Sequence, residues 1–257
     1  MTPSSSTPPD LARRLLAELV GTAALVAIVV GSGIAAQQLS PGQVGLQLLE
    51  NSTTTVFGLA VLILLFGPVS GAHFNPVVSV ADWLLGRRTH TGLSGREVWA
   101  YTAAQIIGGV SGAMLANVMF GLAAVEISDK PRSGVGLWVG ELVATIGLIA
   151  VIFALARTGR AALTAAAVAG WIGAAYWFTS STSFANPAVT IGRMFSDTFA
   201  GIAPGSAPGF IAAQLVGGLV GIGLVLVLYP DVHRAITAAV VPTYPASPLL
   251  DPPRRPR

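Results

Sequence analysis

The chain states the same pattern twice. AELVGTAALVAIVV at 17–30 is echoed by GELVATIGLIAVIF at 140–153, FNPVVS at 74–79 by ANPAVT at 185–190, and YTAAQIIGGVSG at 101–112 by FIAAQLVGGLVG at 210–221. Three matched blocks in one order mark an internal duplication. A span of the bilayer takes roughly 20 mostly apolar residues, and such stretches fall at about 12–35, 52–69, 97–120, 134–156, 162–180 and 208–229. Each half holds three of them. An odd number obliges the second half to enter the membrane from the opposite face. The halves, about 11–122 and 134–230, therefore form an inverted repeat within a single domain. That arrangement is typical of transport proteins, with the substrate path where the halves meet.

Composition agrees with a membrane location. Charged residues make up 10% of the chain, against about a quarter in soluble domains. Lipid offers no partners to an open sheet edge, so every span should be a helix. There is no cysteine, which removes disulfides, thiolate metal sites and cysteine catalysis together. The net charge of +3 is too small to suggest a nucleic-acid surface. Residues 1–10 read as a polar disordered lead and 231–257 as a mostly disordered, proline-rich tail. Of the 14 basic residues, all but Lys130, Arg132 and Arg193 fall on the side of the termini. This bias places both termini in the cytoplasm and the protein, multi-pass, in the inner (plasma) membrane.

Two shorter apolar segments, about 75–85 and 186–196, follow the second and fifth spans. At 1.5 Å per residue each reaches only about half of a ~30 Å hydrocarbon core. Each opens on Asn-Pro: Asn75-Pro76-Val77 and Asn186-Pro187-Ala188. Proline is tolerated at the first helical position, and asparagine is a favoured N-cap. Asn-Pro thus reads as a helix start rather than a helix break. Inverted symmetry points the two starts at each other near the midplane. Two positive dipole ends facing one spot repel cations. With the side-chain oxygens used in capping, the amide groups of Asn75 and Asn186 are left to donate to a passing solute. The expected permeant is small, uncharged and able to accept hydrogen bonds.

These residues resemble the aquaporin, or major intrinsic protein, family. The similarity covers about residues 12–230 and rests on SGAHFNPVVS at 70–79, the second Asn-Pro-Ala, and Glu18 and Glu141 at matched places. It implies a right-handed bundle of six tilted transmembrane helices with two re-entrant half-helices. It also implies a homotetramer with one pore per subunit. Family members usually carry a selectivity filter that includes an arginine three residues after the second asparagine. Here that position is Val189, and ungapped counting gives Thr55, Ala174 and Ser183 as the other filter positions. Four small side chains would form a wide constriction. This pattern resembles bacterial aquaglyceroporin-like members associated with arsenical handling. Glycerol-like polyols, neutral metalloid hydroxides and methylated arsenicals are then the expected permeants beside water. A water-selective aquaporin is the alternative.

Arg193, four residues beyond Val189, reads as an interfacial anchor, with a place at the outer vestibule as the other option. Glu18 and Glu141 lie inside spans, where an exposed acid costs several kcal/mol; they read as structural acceptors for loop N–H groups. His73 is expected to line the pore loop. His90 and His233 read as solvated loop residues. Gln105 and Gln214, a repeat pair, should hydrogen-bond loop backbone. Gly108/Gly112 and Gly217/Gly221 form G-x-x-x-G pairs that let helices approach closely. Trp171, Tyr176 and Trp177 fit either an interfacial belt or a pore wall. No converging His, Asp and Glu set suggests a metal site, a cofactor or an intramembrane enzyme. An ion-coupled carrier would want an acid between the helix starts, and none is there.

Overall fold

The computed structural model describes residues 9–87 and 91–230. Its elements run α1 (Leu11–Leu39), α2 (Val44–Ser70), α3 (Pro76–Gly86), α4 (Gly95–Met119), α5 (Val135–Arg157), α6 (Thr164–Phe178), α7 (Pro187–Gly192) and α8 (Ala207–Leu228), with short 3₁₀ turns at Ala161–Leu163 and Arg193–Phe195. No strand occurs among the described residues. Six segments are long and apolar enough to cross a membrane, α6 counting from Ala161. Asp10 caps α1 by accepting from the Arg13 N–H, so the ordered chain begins within the stretch expected to be disordered. Residues 1–8 of that lead, the tail from 231, and His90 and His233 lie outside the described residues.

The spans form where the apolar runs put them, with one sizeable difference in α2. α2 starts at Val44, well before the expected 52. Its first two turns carry Gln47, Glu50 and Asn51, which look wrong for a span. Each is matched locally: the Gln47 amide donates to Ser40 O at 2.7 Å, Ser40 Oγ donates to Glu50 at 2.7 Å, and Asn51 donates to Val29 O at 2.8 Å. Polar side chains that face α1 cost little once paired.

The packing follows the repeat. α1 lies against α2 and α4, α5 lies against α6 and α8, and α2 meets α6 between the halves. Each half-helix crosses over: α3 touches α8, and α7 touches α4. Small residues set the helix spacing. A Cβ on Gly112 would stand 2.1 Å from Ala23 O, so α4 and α1 are in backbone contact there. Large apolar side chains such as Phe57, Val61, Leu64 and Val227 face outward and are exposed, as a lipid-facing surface requires. At the end bearing the termini, Arg14 pairs with Glu97 at 2.7 Å and donates to Tyr101 Oη at 2.9 Å, tying α1 to the capping box that starts α4.

The second half-helix is shorter than the expected 186–196. α7 is a six-residue helix that tightens into a 3₁₀ turn at Arg193. The carbonyls of Arg193, Met194 and Phe195 accept from the N–H groups of Ile202, Ser128 and Glu126, so partners outside the helix replace the next helical turn. Asn117 on α4 fixes the exit by donating to Phe195 O at 2.9 Å and accepting from Ser196 Oγ at 2.7 Å.

Candidate functional site

Both Asn-Pro pairs start helices. Asn75 and Asn186 have extended backbone at φ −151° and −159°, and each side-chain oxygen accepts from the first turn of its half-helix. Asn75 Oδ1 accepts from Val77 N at 3.0 Å, and Asn186 Oδ1 from Ala188 N at 2.9 Å. The amide groups are not wholly free, as the sequence reading had them. Asn75 Nδ2 donates to Ala185 O at 2.8 Å, and Asn186 Nδ2 donates to Phe74 O at 2.7 Å. Each asparagine thus holds the loop that precedes the other. A primary amide has two N–H donors, so one remains on each side chain.

The two loops are built alike. Ala72 and Phe74 in the first, and Ser183 and Ala185 in the second, all have φ near +50°, a conformation side-chain-bearing residues seldom adopt. Such backbone must be held in place. Glu18 accepts from His73 N at 2.9 Å and Phe74 N at 2.7 Å; Glu141 accepts from Phe184 N and Ala185 N, both at 2.8 Å. Both carboxylates are fully buried. Burial of an acid is tolerable when several donors converge on it. Gln105 and Gln214 differ from expectation. They donate to Glu18 at 2.7 Å and Glu141 at 2.6 Å, and to Ser79 and Thr190 on the half-helices, not to loop backbone. They brace the carboxylates, which in turn hold the loops.

One narrow cavity of about 70 Å³ touches both asparagines, both loops and four spans. That is room for a few water molecules. Its wall is mostly apolar: Leu25 and Val29 on α1 match Leu148 and Ile152 on α5, and Leu59 on α2 matches Ile172 on α6. No carboxylate lines it. His73 does, with Nδ1 3.1 Å from Ser79 Oγ and its ring 5.4 Å from that of Tyr101.

At the end away from the termini the cavity is bounded by Thr55, Tyr176, Ser183, Val189 and Arg193. Ala174 is exposed on the outer face of α6 and does not line the cavity; Tyr176 does. A two-residue slip on a helix turns the face by about 200°, so counting across the intervening loop chose the wrong side. The tyrosine makes this end of the cavity bulkier than four small residues would. Thr55 Oγ1 donates to Asn51 O at 2.8 Å, so across the 3.3 Å contact with Tyr176 it is the tyrosine hydroxyl that donates. The lone pairs of Tyr176 remain as acceptors. Ser183 Oγ has no hydrogen-bond partner among the described residues. Trp171 and Trp177 are not lining residues; their indole N–H groups donate to Ala144 O and Ser52 Oγ.

Arg193 is no interfacial anchor. It is 3% exposed, lines the cavity, and lays its guanidinium 3.4 Å from the centre of the Phe184 ring, while Nε donates to Ala200 O. Two more cations stand beside it. Arg132 donates to Gly201 O at 2.8 Å and Phe199 O at 3.1 Å, and Lys130 donates to Phe199 O at 2.9 Å. Burial, and after it the Arg132 and Arg193 charges, pull the Lys130 amine down to about 8.

The model of the family described as major intrinsic protein matches residues 5–183. The chain belongs to the major intrinsic protein family. Among its relatives in this family, the aquaglyceroporin AqpS of Rhizobium meliloti (strain 1021) is 47% identical over 215 residues, 84% of this chain and 89% of that one. The glycerol uptake facilitator protein of Pseudomonas aeruginosa is 34% identical over 129 residues, 50% of this chain and 43% of that one. An X-ray structure of the aquaglyceroporin from Plasmodium falciparum superposes with a TM-score of 0.60 at 20% identity, covering 84% of this chain and 96% of that one. That likeness shows the fold. The paired half-helices, reciprocal asparagines and buried carboxylates described here are thus how this member of the major intrinsic protein family builds its centre.

Proposed function

We propose that the protein is a passive transmembrane channel for small uncharged solutes that hydrogen-bond, passing glycerol-like polyols as well as water. One observation carries this reading: a single cavity meets both capping asparagines, and its wall is mostly apolar, with no carboxylate. A lone donor from each asparagine, aimed at a file of solutes, holds hydroxyl oxygens in the middle of the membrane. The facing helix starts disfavour cations there. A cation-coupled carrier would need an acid at that point. The relatives' names, an aquaglyceroporin and a glycerol facilitator, agree with the polyol assignment. Neutral metalloid hydroxides and methylated arsenicals are further candidates, since they present the same hydroxyl edges.

In this reading Thr55, Tyr176, Ser183 and Val189 form the outer constriction, with Tyr176 in the place first given to Ala174. The acceptor on Tyr176 and the unpaired hydroxyl of Ser183 suit a solute carrying more than one hydroxyl. A second reading, a water-selective channel, is favoured by the bulk of Tyr176. Stopped-flow swelling of liposomes separates the two. Glycerol, urea and arsenous acid entering well above the protein-free rate supports the first reading; water alone entering supports the second. No flux of any solute refutes both. We also infer cytoplasmic termini in the plasma (inner) membrane, from the charge bias, and a homotetramer, from the family and the apolar exterior. Protease access from one side and mass in detergent test these.

A further inference from the structure

We propose that Arg193 is the charge-selecting residue of this channel, set one helical turn outward of Val189, so that size and charge are sorted at successive levels. The proposal rests on the channel reading above. Val189 leaves the narrow outer level without a fixed positive charge. Arg193 follows four residues later, roughly 6 Å along the helix axis, and both line the same cavity.

What holds the guanidinium matters as much as where it lies. Its Nε donates to a backbone carbonyl, Ala200 O, and its plane covers the Phe184 ring. A carbonyl and a ring satisfy a guanidinium without neutralising it. The two terminal amino groups have no hydrogen-bond partner among the described residues, and they are not sealed from solvent either. They are left facing the passage. The only ion pair among the described residues is Arg14–Glu97, far away at the end bearing the termini. Arg132 adds to the field: its guanidinium lies 5.2 Å from the same ring and it also rests on carbonyls. Three successive carbonyls, of Phe199, Ala200 and Gly201, serve Lys130, Arg132 and Arg193. The acids of this region form no ion pair with these cations, though the charge of Asp197 acts on Lys130 and that of Glu141 on Arg132 and Arg193. Asp197 accepts from Ser128 Oγ and Asp129 N, and Glu141 from the second loop. The outer end of the passage therefore carries three clustered cations with no ion-pair partner among the described residues, which discourage other cations, while the level of Val189 stays without a charged side chain for neutral solutes.

The inverted copy shows that this charge is specific to one end. The position matched to Arg193, counting from the two asparagines, is Asp82. Its carboxylate accepts from Leu93 N at 2.7 Å, and it does not line the cavity.

The test uses the full chain in liposomes, with potassium flux and glycerol uptake read on the same preparation. In Arg193→Gln, the ratio of potassium flux to glycerol uptake should rise about tenfold or more, while Arg193→Lys stays at the parent's ratio. Arg193→His provides an internal switch that does not rely on the neutral variant folding. Its potassium flux should climb between pH 5.5 and 7.5, across the ordinary histidine range near 6.5, while the parent's stays flat. Ion flux at the parent's level in both the glutamine variant and the histidine variant at pH 7.5, with glycerol uptake retained, overturns the proposal and leaves Arg193 as a structural tie. Absence of glycerol and water flux in the parent itself would instead overturn the channel reading.

Discussion

Replacing Glu141 by glutamine changes one atom and should destabilise the protein measurably. Glu141 Oε1 accepts from Phe184 N at 2.8 Å; Oε2 accepts from Ala185 N at 2.8 Å and Gln214 Nε2 at 2.6 Å. An amide can keep only one of these oxygens. The less harmful orientation turns its NH₂ toward Phe184, setting donor against donor and leaving one buried backbone N–H unmatched, a loss of about 1–3 kcal/mol. The two surviving bonds lose their charged acceptor, and bonds to ionised groups are roughly twice as strong as neutral ones. About 3 kcal/mol in all is a fair estimate. For a chain of this size that corresponds to about 6–12 °C in unfolding midpoint. Tryptophan fluorescence during heating of detergent-solubilised protein would read it, with Glu18→Gln expected to behave alike. The loop held by Glu141 also carries Ser183 and the Ala185 carbonyl that receives Asn75, so solute discrimination should weaken with stability. A midpoint within 2 °C of the parent in both variants would refute the claim that these carboxylates hold the loops.

Further outcomes follow from the packing. Gly112→Ala places a methyl where Ala23 O stands 2.1 Å away and should destabilise by about 1–3 kcal/mol, whereas Gly136→Ala, with open space around it, should be neutral by the same heating assay. Tyr176→Ala should speed glycerol uptake more than water uptake in stopped-flow swelling, because it removes the one bulky side chain of the outer level. Lys130 gives a pH signature. Its amine is lowered from 10.5 to about 8 in the folded protein, so the unfolded chain holds the proton more tightly between these values. Its contribution is complete above 10.5 and is lost as the pH falls through 8. The stability of the parent minus that of Lys130→Met should therefore increase with pH across that window in detergent melts, and a flat difference would contradict the assigned burial.

Much of this was legible because the signals are local or duplicated. Asn-Pro encodes a cap and a first turn within two residues, and Glu18 and Glu141 announce themselves as acids in matched apolar surroundings. Other features depended on geometry that spacing does not carry. Ala174 and Tyr176 are two residues apart on one helix, and only the helix's rotation decides which meets the passage. Arg193 looked like a headgroup anchor because a charge at the end of an apolar run usually reaches water. Nothing in its neighbourhood foretold that the chain at 199–201 would fold back and offer three carbonyls to it and its companions. Gln105 and Gln214 were expected to reach loop backbone, yet it is the glutamates that bond the loops and the glutamines that bond the glutamates. A periodic signal did exist for Tyr176: Val168, Ile172 and Tyr176 recur every fourth residue, and all three line the cavity.

The crossed amides at the midplane bear on how this molecule is made and how it is able to move. Asn75 reaches the second half's Ala185, and Asn186 reaches the first half's Phe74. Neither half completes its own central wall; each finishes the other's. The first three spans emerging alone would sit in the bilayer with a keystone missing, and closure of the ring waits on the last half-helix to arrive. Tied this way from both sides, the waist cannot widen without breaking a bond that belongs to each half.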